Sequence, residues 1–162
     1  MSGVPEMYRL LPLLFLLVAS SGFGAASLDV GLGITRGGAS LGGMYTPSAA
    51  EGQYGIYLRM VPKNENVSSS QTGVTSIGGC YKALITSGST DFYGIGGGGI
   101  VMISPVTGSS QTSIGPTIGF GVMHHLKKGI TVGLDHVQNI VWSGDFTGTN
   151  YTSNLLLFSI EM

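Results

Sequence analysis

From Leu28 to the end, the chain repeats one pattern: an apolar residue at every second position, with small or polar residues between. In "LDVGLGITR", Leu28, Val30, Leu32 and Ile34 form one set, and Asp29, Gly31, Gly33 and Thr35 the other. "QYGIYLRMV" separates Tyr54, Ile56, Leu58 and Met60 from Gln53, Gly55, Tyr57 and Arg59 in the same way. Consecutive side chains of a strand point to opposite faces, so each such segment makes a strand with one greasy face and one small or polar face. A period of two is incompatible with an amphipathic helix, whose apolar positions recur every three to four residues. Eight segments are read in this way, at 28–36, 38–46, 52–62, 73–86, 91–104, 112–124, 129–142 and 150–162, the second, "GASLGGMYT", with the poorest alternation. The connections alternate in character. "PSAAE", "SGST" and "LKKG" are short turns, whereas "VPKNENVSSSQT", "SPVTGSSQ" and "SGDFTGTN" are polar and mostly longer. Eight strands joined in this manner predict an all-β, antiparallel up-and-down barrel with both termini at the short-turn end.

Alternation alone does not say which set faces out; the charges do. They make up 9% of the residues, against roughly 25% in soluble domains. Of the mid-strand charges, Asp29, Arg59, Asp135 and Glu161 fall in the small or polar sets, and Lys82 shares its set with Gly78 and Cys80. A surface of Gly, Ser, Thr and five charges suits water poorly, but it suits the lumen of an eight-stranded barrel, which side chains fill. The barrel is therefore expected to cross a membrane, with Ile56, Leu58, Ile118, Phe120, Val132, Leu134, Phe158 and Ile160 facing lipid. Unpaired charges in the lumen would be costly, so Arg59 and Lys82 are expected to contact Asp29, Asp135 or Glu161 as a structural network.

The N-terminus carries the marks of a secretory signal: Arg9, the apolar run "LLPLLFLLV" and the small residues of "ASSGFGAAS". Residues 1–26 are read as a cleaved signal peptide, with the cut between Gly24 and Ser27, and 27–162 as the barrel domain. Cys80 is the one cysteine, so no internal disulfide forms, and a buried thiol is expected. "FYGIGGGGIVM" contains G-x-G-x-x-G at Gly94, Gly96 and Gly99. A dinucleotide fingerprint needs a following helix and an acid about 20 residues on. Here β-rich "IVMISPVTG" follows, so the stretch is read as a strand with Tyr93, Ile95, Val101 and Ile103 toward lipid and Gly94, Gly96 and Gly98 lining the lumen. No cofactor or metal is expected, and a net charge of -1 excludes an electrostatic footprint for nucleic acid.

Over the whole of its mature length the chain resembles the small eight-stranded outer-membrane barrels of Gram-negative bacteria, the superfamily of the OmpA transmembrane domain and the OmpX/Ail proteins. The segments that carry the resemblance are "GPTIGFGVMHHLKKGITVGLDH" and the closing "NLLLFSIEM", where Met162 replaces the family's terminal aromatic. The resemblance implies a multi-pass protein of the outer membrane, in contact with its lipid and lipopolysaccharide and recognised by the barrel-assembly machinery. It implies a non-enzymatic structural, envelope or adhesive role through the outer loops Pro62–Thr72, Pro105–Gln111 and Ser143–Asn150, toward a ligand the sequence does not identify.

Three other readings were open to the residues. His136-Val137-Gln138-Asn139 is similar to the His-x-Ser-Asn motif of lipid A deacylases of the PagL type, with Asp145 further on. Gln138 stands where the nucleophile would be and cannot attack an ester, so no catalytic residue is expected. His136 and Gln138 are instead expected to meet headgroups near the rim, with Trp142 as an interface anchor. A soluble periplasmic barrel with its apolar set around a small hydrophobic ligand is the second, and a passive solute conduit the third, although water-filled channels need about 16 strands. His124 and His125 are neighbours on a strand, point to opposite faces and so cannot share a metal.

Overall fold

A computed structural model describes residues 26–35, 38–47, 53–61, 73–105 and 108–161. The proposed signal peptide lies outside these apart from Ala26, as do the loop residues 62–72. Eight strands run in order: β1 (Ser27–Thr35), β2 (Gly38–Thr46), β3 (Gln53–Val61), β4 (Gly73–Thr86), β5 (Thr90–Ser104), β6 (Gln111–Lys127), β7 (Ile130–Ile140) and β8 (Asn150–Glu161). Each pairs antiparallel with the next, and β8 closes on β1, with Leu28 opposite Ile160. The sheet has no free edge, which removes the template for edge-to-edge aggregation. Both ends of the barrel chain, Ser27 and Glu161, lie opposite each other at one rim, hereafter the terminal end; the connection from Ile140 to Asn150 lies at the other, hereafter the loop end.

Side-chain exposure inverts that of a water-soluble barrel. Val30, Leu32, Ile56, Ile118, Phe120, Leu134, Leu156, Phe158 and Ile160 are exposed on the outer surface, and Leu58 and Val132 half-exposed. Asp29, Arg59, Lys82 and Asp135 are buried inside. The interior is nevertheless more apolar than a lumen of small residues and charges. Met44, Tyr57, Cys80, Tyr93, Ile95, Met123, Val137, Leu155 and Leu157 form one buried cluster, while Val74, Val101, Ile103 and Val141 form a second.

Strand β5 departs from expectation. Tyr93, Val101 and Ile103 are 1%, 1% and 0% exposed, and Ile95 is buried with them. Gly94, Gly96 and Gly98 lie on the outer face beside Phe92, Ile100 and Met102. Both faces of β5 carry large apolar residues, so its own pattern does not choose between them. Pairing chooses. Residues directly opposite in an antiparallel ladder share a face, and Ile95 stands opposite Gly119 and Lys82, while Gly97 stands opposite the buried Thr117.

Glycines of the inner wall act as sockets. A Cβ at Gly42 would lie 2.6 Å from both Arg59 Cδ and Leu155 Cδ1, and one at Gly31 would lie 2.7 Å from Leu157 Cδ2. Gly121 faces the ring carbon and hydroxyl of Tyr93 at closer range still. The long lumen residues fit because the opposing wall is bare. Gly121→Val is therefore expected to push Tyr93 out of its seat and to cost about 1–3 kcal/mol, as overpacking does. A lower urea midpoint for the purified barrel checks this, and an unchanged midpoint would show that the socket is not needed.

Candidate functional site

The lumen is layered from one end to the other. Nearest the terminal end, Lys82 Nζ lies 3.3 Å from Asp29 Oδ2 and 3.2 Å from Met123 Sδ, and sits 4.3 Å over the ring of Tyr93. Cys80 is buried beside this layer with its Sγ 3.3 Å from Met44 Sδ. In the middle, the Arg59 guanidinium grips the Asp135 carboxylate with two parallel bonds, Nη1 to Oδ1 at 3.0 Å and Nη2 to Oδ2. This fork-to-fork geometry is the strongest arrangement open to an Arg–carboxylate pair. Above it, Tyr57 OH and Thr117 Oγ1 are 2.6 Å apart, and Thr117 and Ser76 both donate to Asn139 Oδ1 at 2.8 Å. The apolar layer of Val74, Val101, Ile103 and Val141, with Val61, Phe146 and Tyr151 packed on it, closes the loop end.

Four of the five charges assigned to the lumen thus form two separate pairs. Glu161 does not join them. It is the last residue of β8, is exposed at the terminal end and contributes its backbone N–H to Gly129 O. A carboxylate at an open rim is solvated and needs no partner. Between Arg59, Ser76, Asn139 and Ser153 the lumen retains a cavity of about 10 Å³, room for about one water molecule.

On the outside, the residues singled out for chemistry are brought together in another way. Phe120 stacks on His136 across the β6–β7 ladder at 5.1 Å between ring centres. His136 Nδ1 lies 2.7 Å from Asn154 Oδ1, and Gln138 Nε2 lies 3.1 Å from His136 Nε2. Asn150 Nδ2 donates to Gln138 Oε1 at 3.1 Å. The result is an outward polar stripe, Asn154–His136–Gln138–Asn150, on neighbouring strands β7 and β8. Asn150 and Asn154 were not recognised from the sequence, because only the β7–β8 register sets Asn154 opposite His136. Asp145, the acid that a triad would need, is bonded instead to the Gln111 side chain through its carboxylate and its backbone N–H. His124 and His125 take different partners at the terminal rim, Thr90 and Asp91 respectively.

The loop after β7 is built on β6. Trp142 N–H bonds to Ile114 O, Ser113 Oγ lies 2.9 Å from Ser143 Oγ, and Gly144 and Gly148, both at φ +84°, turn the chain back. Left-handed φ of this kind costs glycine nothing. Val141 N–H to Thr149 O then leads into β8.

No protein-family model matches the sequence, and no curated protein matches it significantly. Solved structures do. The N-terminal β-barrel domain of Pseudomonas aeruginosa OprF superposes with a TM-score of 0.63 at 9% identity, over 86% of this chain and 98% of that one. Neisserial surface protein A gives 0.54 at 16% identity, over 85% and 94%. The Yersinia pestis outer-membrane protein Ail, solved in a phospholipid bilayer nanodisc, gives 0.55 at 13%, over 86% and 99%. At these identities the likeness is one of fold. The chain has the closed, eight-stranded up-and-down fold of the outer-membrane barrels.

Proposed function

We propose that this chain is an integral outer-membrane protein that crosses the membrane with its eight strands and acts without catalysis, as an envelope or adhesive element through the connections at its loop end. The observation that carries the reading is the inverted polarity: a belt of exposed Val, Leu, Ile and Phe surrounds a packed interior containing both buried ion pairs. Such a belt is stable only in lipid, where an outward apolar band about 25 Å tall is the rule. Outer-membrane lipid and lipopolysaccharide are then its immediate surroundings, and the barrel-assembly machinery its route of insertion. A non-enzymatic role is supported by the stripe around His136. Its ring is held by two side-chain amides, while Asp145 is held by Gln111, so no hydroxyl–imidazole–carboxylate relay forms among the described residues.

The test is a heat-shift gel on membrane fractions of cells expressing the full chain, followed by reconstitution of the purified protein in a planar bilayer. A band in the outer-membrane fraction that migrates differently before and after boiling is expected, with conductance no greater than the lipid background. Recovery as a soluble, heat-insensitive band would overturn the membrane reading. Steady ion conductance would overturn the sealed-lumen part of it and favour a conduit.

A further inference from the structure

The outward polar stripe starts at Asn150 on the loop-end rim, opposite Ile140, and descends through Gln138 to Asn154 and His136, which lie too deep for headgroups. On β7, His136 is six residues from Ile130 at the terminal end and six from the exposed Trp142 at the loop end. A strand tilted by about 40° advances roughly 2.5 Å along the barrel axis per residue, which puts His136 some 15 Å below Trp142. With Trp142 as an interface aromatic, His136 sits near the middle of the apolar band, and Gln138 and Asn154 sit in the half above it. The outer faces of the neighbours remain apolar at these depths: Ile118 and Phe120 on β6, opposite Gln138 and His136, and Leu32 on β1, opposite Leu156, are exposed. Strands β7 and β8 break the belt, where the outward series changes from Ile130, Val132 and Leu134 to His136 and Gln138, and from Ile160, Phe158 and Leu156 to Asn154.

Polar side chains facing hydrocarbon at mid-depth are expensive and mark a functional surface. Their contacts with one another are incomplete. The bond to His136 uses Asn154 Oδ1 and leaves its amide hydrogens, and Asn150 Oδ1 and a second Gln138 hydrogen also stay in hand. Acyl chains offer nothing to these groups. Next to the stripe, a hollow of about 200 Å³ bordered by Ile118, Gly119, Phe120, His136 and Gln138, with the buried Ile95 at its floor, has room for a protruding side chain.

Resting on the membrane reading above, we propose that this face is where a second copy of the chain docks, forming a two-fold dimer through β7 and β8. The stripe is neutral and made of side chains that both donate and accept, so it is complementary to itself and needs no partner of opposite charge. Copies inserted by one route share one orientation, so the two-fold axis of a closed pair lies along the membrane normal. That axis sets His136, Gln138 and Asn154 of one copy against the same residues of the other at equal depth. Interhelical polar contacts act as glue between membrane helices because lipid cannot replace them; the same reasoning holds between barrels.

The experiment uses the full chain in lipid vesicles, with Cys80→Ser as the parent and one new cysteine added at a time. Gln138→Cys is expected to give a disulfide-linked dimer on mild oxidation, while Ile56→Cys, on the far side of the barrel, is expected to stay monomeric. Replacing His136, Gln138 and Asn154 together by Leu should abolish a dimer detected by glutaraldehyde cross-linking while the heat shift persists, each loss weakening the pairing roughly threefold or more. A heat-shifted parent with no dimer from Gln138→Cys, equal cross-linking at both positions, or cross-linking to a different polypeptide would each overturn self-pairing alone. A parent with no heat shift would sink the membrane reading, and the dimer with it.

Discussion

Asp135→Ala is expected to cost the folded barrel about 3–5 kcal/mol, the range for breaking a buried ion pair by deleting one partner. The cost comes from what remains. Arg59 is 4% exposed, its two terminal nitrogens both lose their acceptor, and its Nε already has no partner. Gly42 is bare where the Arg59 side chain lies against the wall, so the guanidinium stays seated in the lumen. Unfolding of the purified barrel in urea, followed by the loss of the fast-migrating band, measures the effect. The paired replacement Arg59→Met with Asp135→Leu is the companion test. Exchanging both charges for apolar groups of similar bulk is often neutral or stabilising, so the double variant is expected to recover most of the loss. A single variant within 1 kcal/mol of the parent would show that the pair does not hold the lumen together.

Ile56→Arg is expected to be the most damaging change on the outer surface. Ile56 is 60% exposed and lies midway along β3, between Tyr45 on β2 and Gly79 on β4. An arginine facing lipid near the midplane costs about 2–4 kcal/mol, whereas the same change on a surface in water falls within about 0.5 kcal/mol. The measurement therefore reads the solvent as well as the stability. The variant should accumulate poorly as heat-shifted protein. Thr117→Ser, which keeps the hydroxyl shared with Tyr57 and Asn139 inside the lumen, should accumulate like the parent. Equal yields of the two would mean that water, not lipid, surrounds the belt.

Much of this architecture was legible because it follows from local rules. The period of two in "QYGIYLRMV", "TSIGPTIGFGV" and "NLLLFSIE" places each side chain in or out without knowledge of any neighbour, and the structure keeps those assignments for β3, β6 and β8. Asp29, Arg59, Lys82 and Asp135 shared a face with Gly and Ser, which was enough to send them inside. Where a strand had apolar residues on both faces, the rule had nothing to work on. Tyr93, Ile95, Val101 and Ile103 were assigned to lipid and lie in the lumen, because β5 takes its facing from Lys82 on β4 and Thr117 on β6, not from itself.

The sequence by itself determined the number of strands, the up-and-down order and the polarity of the wall, since these depend on alternation, turn length and the cost of burying charge. Only the tertiary structure decided the partners. Arg59 could have met any of three carboxylates; closure of β8 on β1 and the register of each pair send it to Asp135, send Lys82 to Asp29, and leave Glu161 at the rim. The outward direction of His136 was readable from the chain. Its depth in the apolar band and its bond to Asn154 were not, because both depend on how far each strand is shifted against the next. Alternation is a property of one strand, and shift is a property of the closed barrel.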